Sequence, residues 1–308
     1  MKYSKKYLKE YDKTHEFIPL TRDYLFKAIM LKNIEIFKKF LINTLYLDLD
    51  PNNCNIIFID KELVRENKKE HGKVVDLNVK LGNNLLINIE VNTYDFSLIK
   101  RRNQLYIEKL DTLDLEVGDK YNILNNKYTY QLNLNAKEKS KIGEEEVLLY
   151  NVTLNEIFDD KLRIIIKNLG YYKNKYKKDI NLGYDEIFMA GMMASSYEEL
   201  YDIMSKILKG DKLNKFIESV IKMNMDNFVL HEWEKEKFDF MLEENIKKQA
   251  REEGLKEGLD EGKTLGIEEK TIEMIKSMLE NNLSYEIISK VSGKNVDEIK
   301  EIEKSLKD

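Results

Sequence analysis

The stretch 73–92, KVVDLNVKLGNNLLINIEVN, constrains this chain more than any other. Its apolar residues recur with period two, the side-chain repeat of a β-strand. Val75, Leu77 and Val79 fall on one face of the first run, and Asp76, Asn78 and Lys80 on the other. In the second run Ile87, Ile89 and Val91 oppose Asn88, Glu90 and Asn92. Gly82, Asn83 and Asn84 between the runs carry turn chemistry. Register decides which residues meet, because a slip of one residue sends every side chain to the opposite face. A three-residue loop pairs Leu81 with Leu85 and sets Asp76 across from Glu90 on the polar face. A two-residue loop breaks that match, so the sequence predicts a hairpin of the three-residue class.

Two adjacent carboxylates repel and raise the pKa of one of them. A hard cation with oxygen ligands relieves the repulsion. Mg²⁺ takes one or two carboxylates together with water and phosphate oxygens. In that setting it polarises a phosphodiester and activates water. The competing reading makes Asp76 and Glu90 ordinary solvent-facing residues of a half-exposed hairpin. The apolar flanks argue for a buried sheet instead, where a charge needs a partner or a metal.

Around the hairpin the period changes. From Pro19, the residues Leu25, Ile29, Ile36, Phe37, Phe40, Leu41 and Leu45 recur at helix spacing. Strands are predicted over 55–64, 73–81 and 85–92, and a helix over 94–115. Further strand candidates are 128–134, 147–154 and 164–169. From Asp185 onward the pattern is helical, with breaks near Gly210 and Gly293.

This order of a helix, an acidic hairpin and a second helix resembles the core of the PD-(D/E)XK nuclease superfamily. It is similar in particular to the recombination-promoting nuclease, or transposase-like, family. The resembling pieces are PLTRDYLFKAIM (19–30), KVVDLNVKL (73–81), LLINIEVN (85–92), RRNQLYIEKL (101–110) and YTYQLNLN (128–135). They cover roughly residues 17 to 155, and MLENNLSYEIISKVSG (278–293) is similar to the ends of such proteins. The resemblance implies an α/β fold with a restriction-endonuclease-like core, a mixed sheet flanked by helices, and a helical C-terminal half. It implies Mg²⁺ or Mn²⁺ as cofactor and DNA as partner. Asp76 and Glu90 would be metal ligands, with the Val91 carbonyl as a third and Asp23 reaching the metal through water. Arg101, Arg102 and Tyr106 would position phosphate. Gln131 stands where a polar residue recurs in the family. One departure matters: the superfamily's lysine position is Asn92, a neutral amide that brings no positive charge. Lys80 shares the predicted face and is a candidate substitute, as is Lys100. Two functions follow: a metal-dependent DNA endonuclease of recombination or mobile-element biology, or a catalytically degenerate relative acting as a DNA-binding or protein-interaction module.

Composition limits the alternatives. The formal net charge of -5 gives no global attraction to nucleic acid, so DNA contact must come from local patches. Two exist: the N-terminal Lys2, Lys5, Lys6, Lys9, Lys13, Arg22 and Lys27, and YYKNKYKK (171–178), where Lys173, Lys175, Lys177 and Lys178 interleave with tyrosines. The alternative for the second is a solvated loop. A single cysteine, Cys54, excludes an internal disulfide, and no apolar run is long enough for a membrane span. The expected location is cytoplasmic. Three histidines and one cysteine leave no structural zinc site.

The expected organisation is a basic extension (1–16), a nuclease-like domain with helical additions (17–240), a glycine-spaced charged linker (241–266) and a small helical tail (267–308). Gly254, Gly258, Gly262 and Gly266 recur every four residues, each costing a helix about 1 kcal/mol relative to alanine. They read as a solvated helical linker or as a close helix–helix contact for homo-oligomerisation. In the tail, Leu283, Ile287, Ile288, Val291, Val296 and Ile299 suit the core of a small helix-turn-helix.

Overall fold

A computed structural model describes residues 3–59, 77–93, 99–112, 126–137, 140–178 and 180–305. They form two compact units, Met1–Trp233 and Glu234–Asp308.

The first unit is built on a six-stranded mixed sheet of order β1-β2-β3-β4-β6-β5. β1 (Ile56–Phe58), β2 (Leu77–Leu81) and β3 (Leu85–Asn92) run antiparallel to one another in turn. β3 and β4 (Tyr128–Asn135) are parallel, as are β4 and β6 (Glu156–Asn168). β5 (Glu144–Asn151) closes the edge antiparallel to β6. A parallel pair requires a crossover, and the β3–β4 connection contains α4 (Ile99–Asp111). The β2–β3 loop has three residues: Leu81 pairs with Leu85, and Gly82 takes the left-handed conformation at φ 62°.

Strand alternation gives the sheet two different faces. Leu77, Val79, Leu81, Ile87, Ile89, Val91, Leu132, Leu134 and Ile165 are buried in one large hydrophobic core. The same core takes in the helical stripe Leu25, Ile29, Phe37, Phe40 and Leu41 of α2 (Asp23–Lys32) and α3 (Ile34–Thr44). Fully burying a side chain of this size contributes about 1.5–3 kcal/mol. α1 (Lys5–Tyr11) is part of the same unit: Ser4 caps it, Leu8 is fully buried, and Lys5 pairs with Asp202 of α7 (Tyr197–Met204).

Several elements differ from expectation. Residues 152–154, expected in a strand, form a turn. The Asn151 side chain accepts from the backbone N–H groups of Thr153 and Leu154, and Asn155 is left-handed at φ 56°. β6 starts at Glu156, well before the expected 164, because its first half pairs only with β5 and is not held to an apolar pattern. Segment 171–178 is no loop. It lies mostly in α5 (Leu169–Lys177), which buries Leu169, Tyr172 and Lys173. The expected strand residues 60–64 and 73–76, and helix residues 94–98 and 113–115, lie outside the described residues. Further described helices of this unit are α6 (Tyr184–Met192) and α8 (Gly210–Asn224). Gly210 opens α8 at φ 54°.

The second unit holds most of α9 (Asn227–Glu280), then α10 (Tyr285–Ser292) and α11 (Val296–Ser305). The four spaced glycines are helical, and a Cβ added at any of them meets nothing within 4 Å. Ile275, Ile288 and Ile299 form the small core, with Met278, Leu279, Tyr285 and Ile302 around it. Leu283, Ile287 and Val291, expected in that core, are exposed. α9 supplies Ile275, Met278 and Leu279 instead, so α10 needs only one buried face. Gly293 ends α10 in the left-handed conformation, at φ 73°. No described helix is long and apolar enough to cross a membrane.

A buried acidic and amide face as the candidate active site

The second face of the central strands is polar. In register across β2, β3 and β4 stand Asn78, Asn88 and Gln131; the next row holds Glu90 and Asn133, and the next Asn92 and Asn135. α4 lies over this face. The Thr129 hydroxyl donates to Asp111 Oδ1 near the helix end at 2.7 Å, and Arg102 reaches the strands from its first half. Glu90 is only 3% exposed, and Gln131 and Asn133 are fully buried. A carboxylate so enclosed needs compensation. Arg102 Nη2 donates to Glu90 Oε2 at 2.6 Å and to Asn92 Oδ1 at 2.8 Å, so one guanidinium nitrogen bridges both side chains. The Arg102 guanidinium also lies 5.8 Å from the Tyr106 ring centroid, within cation–π range.

The amides bond to one another. Asn88 Nδ2 donates to Asn78 Oδ1 at 2.7 Å. Asn92 Nδ2 donates to Asn135 Oδ1 at 3.1 Å and to Asn133 Oδ1 at 3.5 Å. Gln131 Nε2 donates to Asn133 Oδ1 at 3.3 Å. Asn88 Oδ1, Gln131 Oε1, Asn133 Nδ2, Asn103 Oδ1 and Arg102 Nε are buried and have no hydrogen-bond partner among the described residues. Buried polar atoms of this kind are normally satisfied by bound water or ligand.

The residues singled out from sequence separate into groups. Glu90, Asn92, Arg102, Tyr106 and Gln131 share this face or the helix over it. The Val91 side chain is in the apolar core, so only its main chain is available to the face. Asp76 lies outside the described residues, and the last described pair of the register is Leu77 with Ile89. Lys80 shares the face but pairs with Leu86, four residues from Glu90. At about 3.3 Å per residue that is roughly 13 Å along the strand, beyond the reach of a lysine side chain. Asp23 opens α2 and is held by buried Lys27 at 2.5 Å. Arg101 is exposed on α4.

Lys173 does not belong to a basic surface. It is 7% exposed and ion-paired with Glu199, and burial pushes its ammonium below the ordinary lysine value although Glu199 pulls the other way. Lys175 is paired with Glu186 at 2.8 Å, whereas Lys177 and Lys178 are exposed. The sequence reading missed Asn133 and Asn135. Their signal was present in YTYQLNLN, where Gln131, Asn133 and Asn135 alternate with Tyr130, Leu132 and Leu134.

Among the described residues no three His, Cys, Asp or Glu side chains cluster as a metal site. The groups beside Glu90 that could meet a cation are nevertheless oxygens: its own carboxylate and the Gln131 amide oxygen, which has no hydrogen-bond partner among the described residues. That set suits a hard divalent cation and not zinc.

A family profile described as a PD-(D/E)XK nuclease family transposase matches residues 20–239, more than half of the chain. The chain belongs to this PD-(D/E)XK nuclease family, and the mixed sheet with flanking helices and a helical C-terminal half is in keeping with its fold. No curated protein and no solved structure matched.

Proposed function

We propose that the protein is a metal-dependent DNA endonuclease that hydrolyses phosphodiester bonds at the polar face of β2 and β3. The observation that carries this reading is the buried Glu90 carboxylate held, together with Asn92, by Arg102. Asp76, which strand alternation puts on the side of Asn78 and Lys80, would join Glu90 in holding Mg²⁺ or Mn²⁺. The Val91 carbonyl would serve as a third ligand, and Asp23 would reach the cation through water. When bound, such a cation supplies Lewis-acid polarisation of the phosphodiester and a lowered water pKa.

Arg102 answers the departure at Asn92. The family's strand lysine is absent, but a guanidinium from α4 reaches the oxygen of the amide that replaces it. Arginine stays charged at all working pH values and presents several N–H donors in one plane. Nη2 is engaged by Glu90 and Asn92, which leaves other donors of the fork for a phosphate oxygen as charge develops. Asn92 orients Arg102, and Tyr106 supports it from the helix. Arg101, Lys177 and Lys178 are the exposed cations proposed to hold the DNA backbone, giving affinity without sequence reading. Self-association through the C-terminal helices belongs to the same proposal, since the glycines of α9 leave backbone open to close approach.

The same ion pair favours a second reading. Arg102 already neutralises Glu90, as it would in a degenerate relative that binds DNA without cutting it. Supercoiled plasmid, Mg²⁺ or Mn²⁺, and native protein beside Asp76→Ala and Glu90→Ala decide between them. Cleavage by the native chain alone, abolished by EDTA, is expected. DNA retention with no cleavage by any of the three sinks the nuclease reading.

A further inference from the structure

A primary amide has a donor end and an acceptor end, and only its neighbours decide which end faces where. At Asn92 that choice matters. With Oδ1 turned to α4, the side chain accepts from Arg102; with Nδ2 there, it opposes the guanidinium with a second set of donors. The neighbours are on β4. Asn133 and Asn135 each offer an Oδ1 to Asn92 Nδ2, and Gln131 Nε2 donates to the same Asn133 oxygen. With its nitrogen committed to β4, Asn92 presents only oxygen to Arg102.

We infer that Asn133 and Asn135 are positioning residues: they fix the orientation of the Asn92 amide and so hold the Arg102 guanidinium beside Glu90. Gln131 acts one step further out, through Asn133. The chain of contacts runs Gln131, Asn133, Asn92, Arg102, Glu90, with Asn135 as the second anchor of Asn92. It is in strand register, since Asn133 pairs with Glu90 and Asn135 with Asn92, so the backbone itself sets these amides at the right height. Gln131 and Asn133 are fully buried, so bulk solvent does not compete for the bonds they make to each other and to Asn92. The Asn78–Asn88 pair supplies a built-in comparison: it has the same chemistry on the same face, but among the described residues its side-chain bond runs between its own two members.

The catalytic part of this inference rests on the nuclease reading; the positioning part does not, and the test separates them. Native protein, Asn133→Ala, Asn135→Ala and the control Asn88→Leu are compared by two readouts. Asn135 is only partly buried, so its variant folds even where Asn133→Ala does not. The first readout is the ¹⁵N–¹H signal of the Arg102 guanidinium, assigned by its loss in Arg102→Lys. The second is the steady-state rate of plasmid cleavage with Mg²⁺. The expected result is a broadened, rapidly exchanging Arg102 signal in both positioning variants and an unchanged one in Asn88→Leu. With it, kcat falls by about 10- to 100-fold, the usual effect of losing an outer partner of a reactive group, while KM stays within about twofold. An Arg102 signal unchanged in Asn133→Ala and Asn135→Ala overturns the inference. An equal loss in Asn88→Leu also overturns it, because it marks general loosening of the sheet. If the native chain cuts no DNA but Arg102 is released only in the two variants, the nuclease reading fails and the positioning role stands.

Discussion

Replacing Arg102 by methionine removes a cation from a carboxylate that the protein has almost fully enclosed. Glu90 is 3% exposed, while the Arg102 side chain is 38% exposed. Breaking a buried pair by deleting one partner costs about 3–5 kcal/mol. Water reaches Arg102 from one side, which lowers the expected cost to about 2–3 kcal/mol at neutral pH. Methionine keeps much of the stem's packing, so the loss is mainly electrostatic. Glu90→Gln alone keeps a neutral acceptor for Arg102 and costs about 1 kcal/mol, the net worth of an ordinary hydrogen bond. The double variant leaves no stranded charge, so the two losses do not add, and a coupling of about 1.5 kcal/mol is expected. Urea unfolding followed through Trp233 is the assay: it is the chain's one tryptophan, fixed by its bond to Glu16 at 2.8 Å. Divalent cation extends the test, because a ligand at 100 times its Kd adds about 2.7 kcal/mol to the folded state. Mg²⁺ should stabilise Arg102→Met more than native protein, since it replaces the missing charge. An Arg102→Met variant within about 0.5 kcal/mol of native, the range of an ordinary surface substitution, or additive losses in the double variant, would refute the claim that this pair compensates a buried carboxylate.

Two further outcomes follow from the same structure. A Cβ at Gly143 would stand 2.5 Å from Tyr171 Cδ1, so Gly143→Ala should lower stability by about 1–3 kcal/mol through overpacking, and Gly143→Ala with Tyr171→Ala should recover part of it in thermal melts. Burial alone raises the Glu199 carboxyl, but Lys173 and the Ser195 N–H outweigh it and hold it below the ordinary value. A depressed folded pKa gives stability that is present above the unfolded value and is lost as pH falls through the folded one. The urea midpoints of native and Glu199→Gln should therefore differ at pH 7 and converge only as pH falls below the ordinary glutamate value and through the depressed one.

Much of this arrangement was legible in the order of residues. Alternation placed β3 at 85–92 and required a three-residue loop, and pairing of Leu81 with Leu85 bears that out. The apolar stripe of α2 and α3 was visible because helix spacing leaves a direct mark on sequence. What escaped notice depends on where a distant element lands. Nothing in RRNQ says that Arg102 meets Glu90 while Arg101 faces solvent; the crossover path of α4 decides it. Lys173 read as one of four equivalent cations in a basic run until helix geometry turned it inward to Glu199 and left Lys177 and Lys178 outside. The expected strand 164–169 starts too late because Asp159 and Asp160 break the apolar pattern, and these polar residues are permitted where β6 has β5 as its one described partner. The amides of β4 were visible as an alternating set, but their role emerges only when β3 supplies Asn92 beside them.

Calorimetric titration of Mn²⁺ into native protein, Glu90→Gln and Asp76→Asn, each first shown to be folded, tests the central claim most directly. Saturable binding by the native chain, lost or weakened at least about tenfold in both variants, is the outcome expected if these two carboxylates form one cation site. Binding of equal strength in all three would contradict it and place the metal, and with it the chemistry, elsewhere in the molecule.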